Sequence, residues 1–190
     1  MLDSTYILEN GLWTPIATAL NGMHVEPEGF EQAVELAIRA KERSDIPVRV
    51  FFVGNGGSAA ISSHMSADWM KNGKIAAMSF NDGASLTCIA NDIGYERAFQ
   101  IPLRNHGRMG DILFAISSSG RSLSILNAVW QAKNQGLIVI TLSGFDPDNP
   151  LRKEDKINFY IPSRNYGVVE IAHLTICHAI LDRVVSNGSR

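Results

Sequence analysis

Apolar positions along this chain follow two rhythms. Up to about residue 45 they recur at helical spacing. One helix is expected over residues 7–20 and a second over 28–43, with Phe30, Val34, Ala37 and Ile38 on one face. From there on, short apolar blocks alternate with longer amphipathic stretches. The blocks 48–53, 75–80, 112–116, 137–142 and 157–161 predict strands, and the stretches 59–72, 84–92, 96–105, 122–135 and 168–185 predict helices. Gly73 and Gly136 stand where two of those helices should stop. The strand blocks are continuous runs of β-branched and aromatic residues, the pattern of parallel strands covered on both faces. Strands alternating with helices then predict a three-layer αβα sandwich around a mostly parallel five-stranded sheet, with right-handed crossovers. The last helix is apolar nearly all round, so burial is expected for it.

Length and charge narrow the classes. A chain of 190 residues corresponds to one domain, here N-terminal helices over 1–45 and an α/β core over 46–185. At this size roughly 70% of the unfolded surface can be buried. A net charge of −2 carries no electrostatic footprint for nucleic acid or an anionic membrane. No apolar run approaches the ~20 residues of a bilayer span. The opening Met1-Leu2-Asp3-Ser4 has no basic segment and no apolar core of a signal peptide, so a cytoplasmic protein is expected. Cys88 and Cys177 lie inside apolar runs and read as buried free thiols.

Two strand ends carry the chemistry. The block 48–53 runs into Gly54-Asn55-Gly56-Gly57-Ser58, and 112–116 runs into Ser117-Ser118-Ser119-Gly120-Arg121-Ser122. Ligands of such sheets sit beyond the carboxyl ends of the strands. Glycines let the backbone approach an anion, while helix-start N–H groups and nearby hydroxyls satisfy its oxygens. One serine, Ser119 or Ser122, has a plain use as a helix N-cap. The others have no packing use at the end of an apolar strand, which points to a phosphate cradle. Arg121 has two open readings, pairing with the anion or standing in solvent. Gly54, Gly56 and Ala59 also fit the dinucleotide fingerprint, but no acidic residue stands about 20 positions on; Asp82 comes too late. A Walker A loop is excluded, since no Gly-Lys-Ser/Thr follows.

Gly54-Asn55-Gly56-Gly57-Ser58, Ser117-Ser118-Ser119-Gly120-Arg121-Ser122 and Thr141-Leu142-Ser143-Gly144 together resemble the sugar isomerase (SIS) domain. Ile89-Ala90-Asn91-Asp92-Ile93-Gly94-Tyr95 and residues 59–68 narrow the resemblance to the phosphoheptose isomerase group. It covers nearly the whole chain. It implies a flavodoxin-like fold and a homotetramer with sites at subunit interfaces. It also implies conversion of sedoheptulose 7-phosphate to D-glycero-D-manno-heptose 7-phosphate, a step that supplies heptose for surface polysaccharide. Phosphate would be held by Ser58, Ser117, Ser118, Ser119 and Ser122 over the backbone of Gly56 and Gly57, with Asn55 and Asp92 touching the sugar.

Moving a proton between adjacent carbons through an enediol needs a base, an acid and a group that stabilises the oxyanion. His64 and Asp68, spaced i, i+4, share a helix face. They lie roughly 60° around from the Ile61/Met65/Trp69 stripe, at the edge of the face expected to be buried. The last helix offers Glu170, His173 and His178 among apolar neighbours, and buried acids and imidazoles are uncommon without partners. His173 is expected to be structural. The resemblance maps its functional set onto His64, Asp68, Glu170 and His178. These bind zinc in some members, with Asp68 and His178 as the acid/base pair and Glu170 also among the substrate contacts. This chain departs from the pattern twice, with Asp68 for a glutamate and Glu170 for a glutamine. Two imidazoles and two carboxylates make a reasonable zinc shell, and no organic cofactor is expected. Eight helical residues span about 12 Å, so Glu170 and His178 meet one ion only if Glu170 sits at or before the helix start. A second expectation, from the same resemblance, is a non-catalytic sugar-phosphate-binding adaptor of a replication initiator, which would need the cradle but not the acid and base.

Overall fold

A computed structural model of the chain describes residues 14–25, 29–42, 47–154 and 157–187. Within them the order is α1 (Thr14–Asn21), β1 (His24–Val25), α2 (Gly29–Glu42), β2 (Arg49–Gly54), α3 (Gly57–Asp68), β3 (Ala76–Ser79), α4 (Gly83–Asp92), α5 (Gln100–His106), β4 (Ile112–Ser117), α6 (Leu123–Asn134), β5 (Ile138–Gly144), β6 (Asn158–Ile161) and α7 (Tyr166–Asn187). Residues 7–13 of the first expected helix, and positions 28 and 43 at the ends of the second, lie outside the described residues.

The apolar blocks form one sheet in the order β1-β6-β5-β4-β2-β3. The five expected strands are all parallel. A sixth, β1, adds two residues antiparallel to β6 at the edge. Two residues carry no alternation, so no pattern announced it. The unbroken apolar runs have a direct cause. Alternate side chains of each strand enter two separate cores. Phe51, Val53, Leu113, Ala115 and Val139 join Leu103 of α5 and Ile125 and Val129 of α6. Phe52, Phe114, Ile116, Ile140 and Leu142 join the buried faces of α1, α2, α3 and α7. There Phe52 and Phe114 stack with centroids 4.7 Å apart, and Trp69 meets both edge-on.

Three expectations are corrected. Cys88 is exposed, whereas Cys177 is buried. The helix of Cys88, α4, fully buries none of its residues, and of its apolar run Leu86 packs, partly buried, against a core while Cys88 faces solvent. The outer face of α7 is open: Ile171 is exposed, as are Asp182 and Arg183 further along. Nor does Gly73 supply the left-handed stop of the 59–72 helix. After Asp68 the chain widens into a π turn, Trp69–Gly73, and the left-handed residue is Lys74 at φ 56°. Gly73 is buried, and a Cβ there would lie 3.1 Å from Leu181, so its small size serves packing against α7. Among the described residues, no helix is long and apolar enough to cross a membrane.

A buried polar contact ties α7 to the sheet. His173, fully buried, has Nε2 3.1 Å from the Ser143 carbonyl of β5, and its Nδ1 has no partner. The ring nitrogen facing the carbonyl carries the proton, which fixes the neutral tautomer. Burial pushes the His173 pKa down from 6.5 to about 4, against the smaller upward pull of the carbonyl bond. The folded state therefore resists a proton that the unfolded chain accepts. The resulting stability is whole above pH 6.5 and is lost as pH falls towards 4. A shift of this size corresponds to roughly 3 kcal/mol at most. In urea denaturation, the wild type should lose up to that much more stability between pH 7 and pH 4 than His173→Leu does. Equal losses in the two proteins would show that another group controls the acid limb.

Candidate active site

The strands β2 and β4 are neighbours, but their connections leave in opposite directions, β2 through α3 to β3 and β4 through α6 to β5. A crevice opens beyond their carboxyl ends, as at any such reversal of strand order. It holds a cavity of about 220 Å³. Its walls include Asn55, Gly56, Gly57 and Ser58 from the first turn, and Ser117, Ser118, Ser119 and Ser122 from the second. Tyr166 and Glu170 of α7 close the side.

Its polar groups are arranged for an acceptor-rich ligand. Gly56, before α3, has no side chain to cap the helix. The amides of Ala59 and Ala60 turn back to the Gly56 carbonyl. Those of Gly57 and Ser58, ahead of them, have no protein acceptor among the described residues, and they carry the positive end of the helix dipole. The Ser118 hydroxyl is buried without a hydrogen-bond partner, a costly state unless something binds there. Ser122 stands at the N-cap of α6 but makes no capping bond, leaving its hydroxyl 3.4 Å from that of Ser117. Ser119 Oγ accepts from the Arg121 amide at 3.2 Å. Of the two open readings of Arg121, the structure has it in solvent: its side chain is exposed, and its guanidinium pairs with Asp146 at 2.7 Å. The Asp146 carboxyl lies below its usual pKa, held there first by the Asp148 backbone amide and then by Arg121. Among the described residues no lysine or arginine lines the cavity.

A second cluster lies along the same two helices. His64 and His178 bring their Nε2 atoms to 3.2 Å. One Asp68 oxygen is 3.4 Å from His64 Nε2 and 3.9 Å from His178 Nδ1. One donor atom from each residue falls within 4.8 Å of the other two, close enough to share an ion. Glu170 is not brought to this trio. Helix α7 begins at Tyr166, so Glu170 is already helical, about 12 Å along the axis from His178. Its carboxyl group instead rests on Gly57, where any Cβ would overlap it. Asp92 also stands apart from both groups. It is exposed at the end of α4, accepting a bond from Asn91 at 2.7 Å.

Sequence reasoning passed over two supporting residues and one wall. Asn55 is held from both sides, with Tyr95 OH 2.7 Å from its Oδ1 and its Nδ2 3.0 Å from Ser124 Oγ. Tyr95 and Ser124 come from segments far apart in the chain, and no local spacing joins them to Asn55. Tyr166, packed edge-on against Phe145 at 4.7 Å, had a faint signal as an aromatic just before the last helix pattern.

Comparison with known proteins finds similar ones over most of the chain. Residues 18–144 match the SIS domain family. A phosphoheptose isomerase of Maridesulfovibrio salexigens is 29% identical over 180 residues, 90% of this chain and 87% of that protein. One from Mycobacterium tuberculosis is 35% identical over 142 residues, 72% of each. The solved structure of a phosphoheptose isomerase from Neisseria gonorrhoeae superposes with a TM-score of 0.81 at 28% identity, covering 98% of this chain and all (100%) of that one.

The serine loop depends on Gly120. It sits at φ 62°, and a Cβ there would overlap the amide of buried Asn149, which itself bonds the Gly144 and Asp146 carbonyls. Gly120→Ala should cost about 1–3 kcal/mol and weaken binding of inorganic phosphate, read by thermal denaturation and titration calorimetry. An alanine variant with wild-type stability and phosphate affinity would show that the loop does not need this contact.

Proposed function

Because the chain belongs to the SIS domain family, within its phosphoheptose isomerase group, and is an isomerase of sugar phosphates, we propose that its substrate is an open-chain seven-carbon sugar phosphate. The reaction is sedoheptulose 7-phosphate to D-glycero-D-manno-heptose 7-phosphate. One observation carries this reading. Helices α3 and α7 lie side by side and point the same way, with Gly57 beside Glu170 at one end, His64 beside His178 further along, and Gly73 beside Leu181 beyond. The hydroxyl-lined cavity is at their N-terminal ends, and the His/Asp trio lies about 12 Å down the pair. An extended seven-carbon chain places its carbonyl oxygen roughly 10 Å from the phosphorus, at about 1.2 Å per bond. Phosphate in the cavity and reacting carbons at the trio fit that length, and a five-carbon chain falls short.

In this reading Ser58, Ser117, Ser118, Ser119 and Ser122, with the Gly57 and Ser58 amides, hold the phosphate. Its binding energy then orients the far end of the chain. Asn55, fixed by Tyr95 and Ser124, presents its amide to a sugar hydroxyl. Asp68 takes the carbon-bound proton, and His178 exchanges protons with the neighbouring oxygens. His64 holds Asp68 and His178 in register through one of its ring nitrogens, Nε2. Two imidazoles and a carboxylate with open positions also fit zinc. His64, Asp68 and His178 would be its ligands, and a bound ion would polarise the carbonyl and hydroxyl oxygens. Glu170 belongs to the phosphate end, and Asp92, exposed at the end of α4, would contact the sugar from outside both groups. The trio's exposure, with the His64 side chain 53% accessible, leaves room for a neighbouring subunit to close it, as in a homotetramer with sites at its interfaces.

Incubation with sedoheptulose 7-phosphate should yield the aldose. Asp68→Asn should abolish turnover while sparing phosphate binding, and near-normal rates would remove Asp68 from the mechanism. Ser119→Ala should raise KM for the phosphorylated sugar several-fold with a smaller effect on kcat; an unchanged KM would count against the cradle. Elemental analysis should find one zinc per chain in the wild type and none in His64→Ala. Equal metal content in both would exclude the trio as its site.

A further inference from the structure

Among the described residues the phosphate cavity contains a carboxylate and no cation to match it. Glu170 lines it beside the serines, and no described lysine or arginine does. Arg121, the nearest cation in sequence to the serines, is engaged with Asp146. Among the described residues Glu170 has no hydrogen bond or ion pair. Its carboxyl group lies against Gly57, the first residue of α3, in space open only because that residue has no Cβ. That position is where unpaired amides and the helix dipole favour a negative charge. The carboxylate and a bound phosphate would therefore be close neighbours of like sign, in a site whose remaining donors are neutral. Like charges at such separation, partly shielded from water, oppose each other strongly.

We propose that Glu170 determines specificity by repulsion. Its carboxylate holds down the affinity of the cavity for phosphate alone, and a polyhydroxylated substrate recovers part of the loss by donating a hydroxyl to the same carboxylate. A bare phosphate, or a phosphoester without a hydroxyl near the phosphate end, has no donor to offer and is disfavoured. The site thus rejects the abundant small anion that its serines and amides would otherwise collect. This inference rests on the reading of the cavity as the phosphate site.

The test compares binding of inorganic phosphate and of sedoheptulose 7-phosphate to wild type, Glu170→Gln, Glu170→Ala and Ser119→Ala by titration calorimetry, with thermal denaturation of each as a check of folding. Both Glu170 variants should bind inorganic phosphate about tenfold more tightly or better. The preference for the sugar phosphate over inorganic phosphate should shrink accordingly. A gain of affinity is not what a damaged fold produces, so the direction separates repulsion from a structural role. Unchanged or weaker phosphate binding in both Glu170 variants, with Ser119→Ala still weakening it, would overturn the inference and leave the cavity as the phosphate site. If Ser119→Ala leaves phosphate binding untouched as well, the reading of the cavity itself fails.

Discussion

The side-by-side packing of α3 and α7 is the constraint on which the rest depends. Each helix supplies residues to both chemical groups: α3 gives Gly57 and Ser58 to the cavity and His64 and Asp68 to the trio, and α7 gives Tyr166 and Glu170 to one and His178 to the other. Sliding one helix by a single residue would move its contributions by about 1.5 Å and rotate them by about 100°. Close contacts at both ends forbid that slide. Gly57 admits the Glu170 carboxyl, Gly73 admits Leu181, and at Gly144, at the end of β5, a Cβ would lie 2.9 Å from Val169. The His173 bond to Ser143 adds a directional tie to the sheet. Bulk at any of those glycines would part the layers and move the cavity relative to the trio.

The sheet beneath supplies rigidity and the direction of the donors. Parallel strands buried on both faces aim their carboxyl ends at the same edge, and the helices that follow begin there with amides unpaired. Between β2 and β4 the two turns are brought together across neighbouring strands, with Gly54 opposite Ile116 in register. That pairing converts two distant hydroxyl-rich segments into one cavity. Elsewhere in the sheet Asp111 is tied down, accepting from the Arg49 and Arg108 amides and pairing with the Arg49 guanidinium at 2.7 Å. The buried Ser118 hydroxyl has no such partner, and it lies in the wall of the cavity, where a ligand could satisfy it.

Much of this was legible in the chain because it is local. A run such as Phe51, Phe52 and Val53 reads as a strand wherever it is placed, and a hydroxyl-rich turn after it reads as a ligand loop. The i, i+4 spacing placed His64 and Asp68 on one face, and they are 3.4 Å apart. Cys88 was misread because apolar composition does not say whether a helix lies over a core or at its margin. Tyr95 was quoted without a task, since its partner, Asn55, is forty positions away.

The sequence by itself determined the succession of strands and helices, the layered class and the two hydroxyl-rich turns, because each follows from side-chain periodicity and backbone freedom over a few residues. Only the tertiary structure decided that Glu170 faces the serines and not the histidines, that Arg121 turns to Asp146, and that cavity and trio lie about 12 Å apart on one pair of helices. The first and last of those outcomes depend on the axial register of α7 against α3. Contacts between residues more than a hundred positions apart set that register, and no local pattern encodes them.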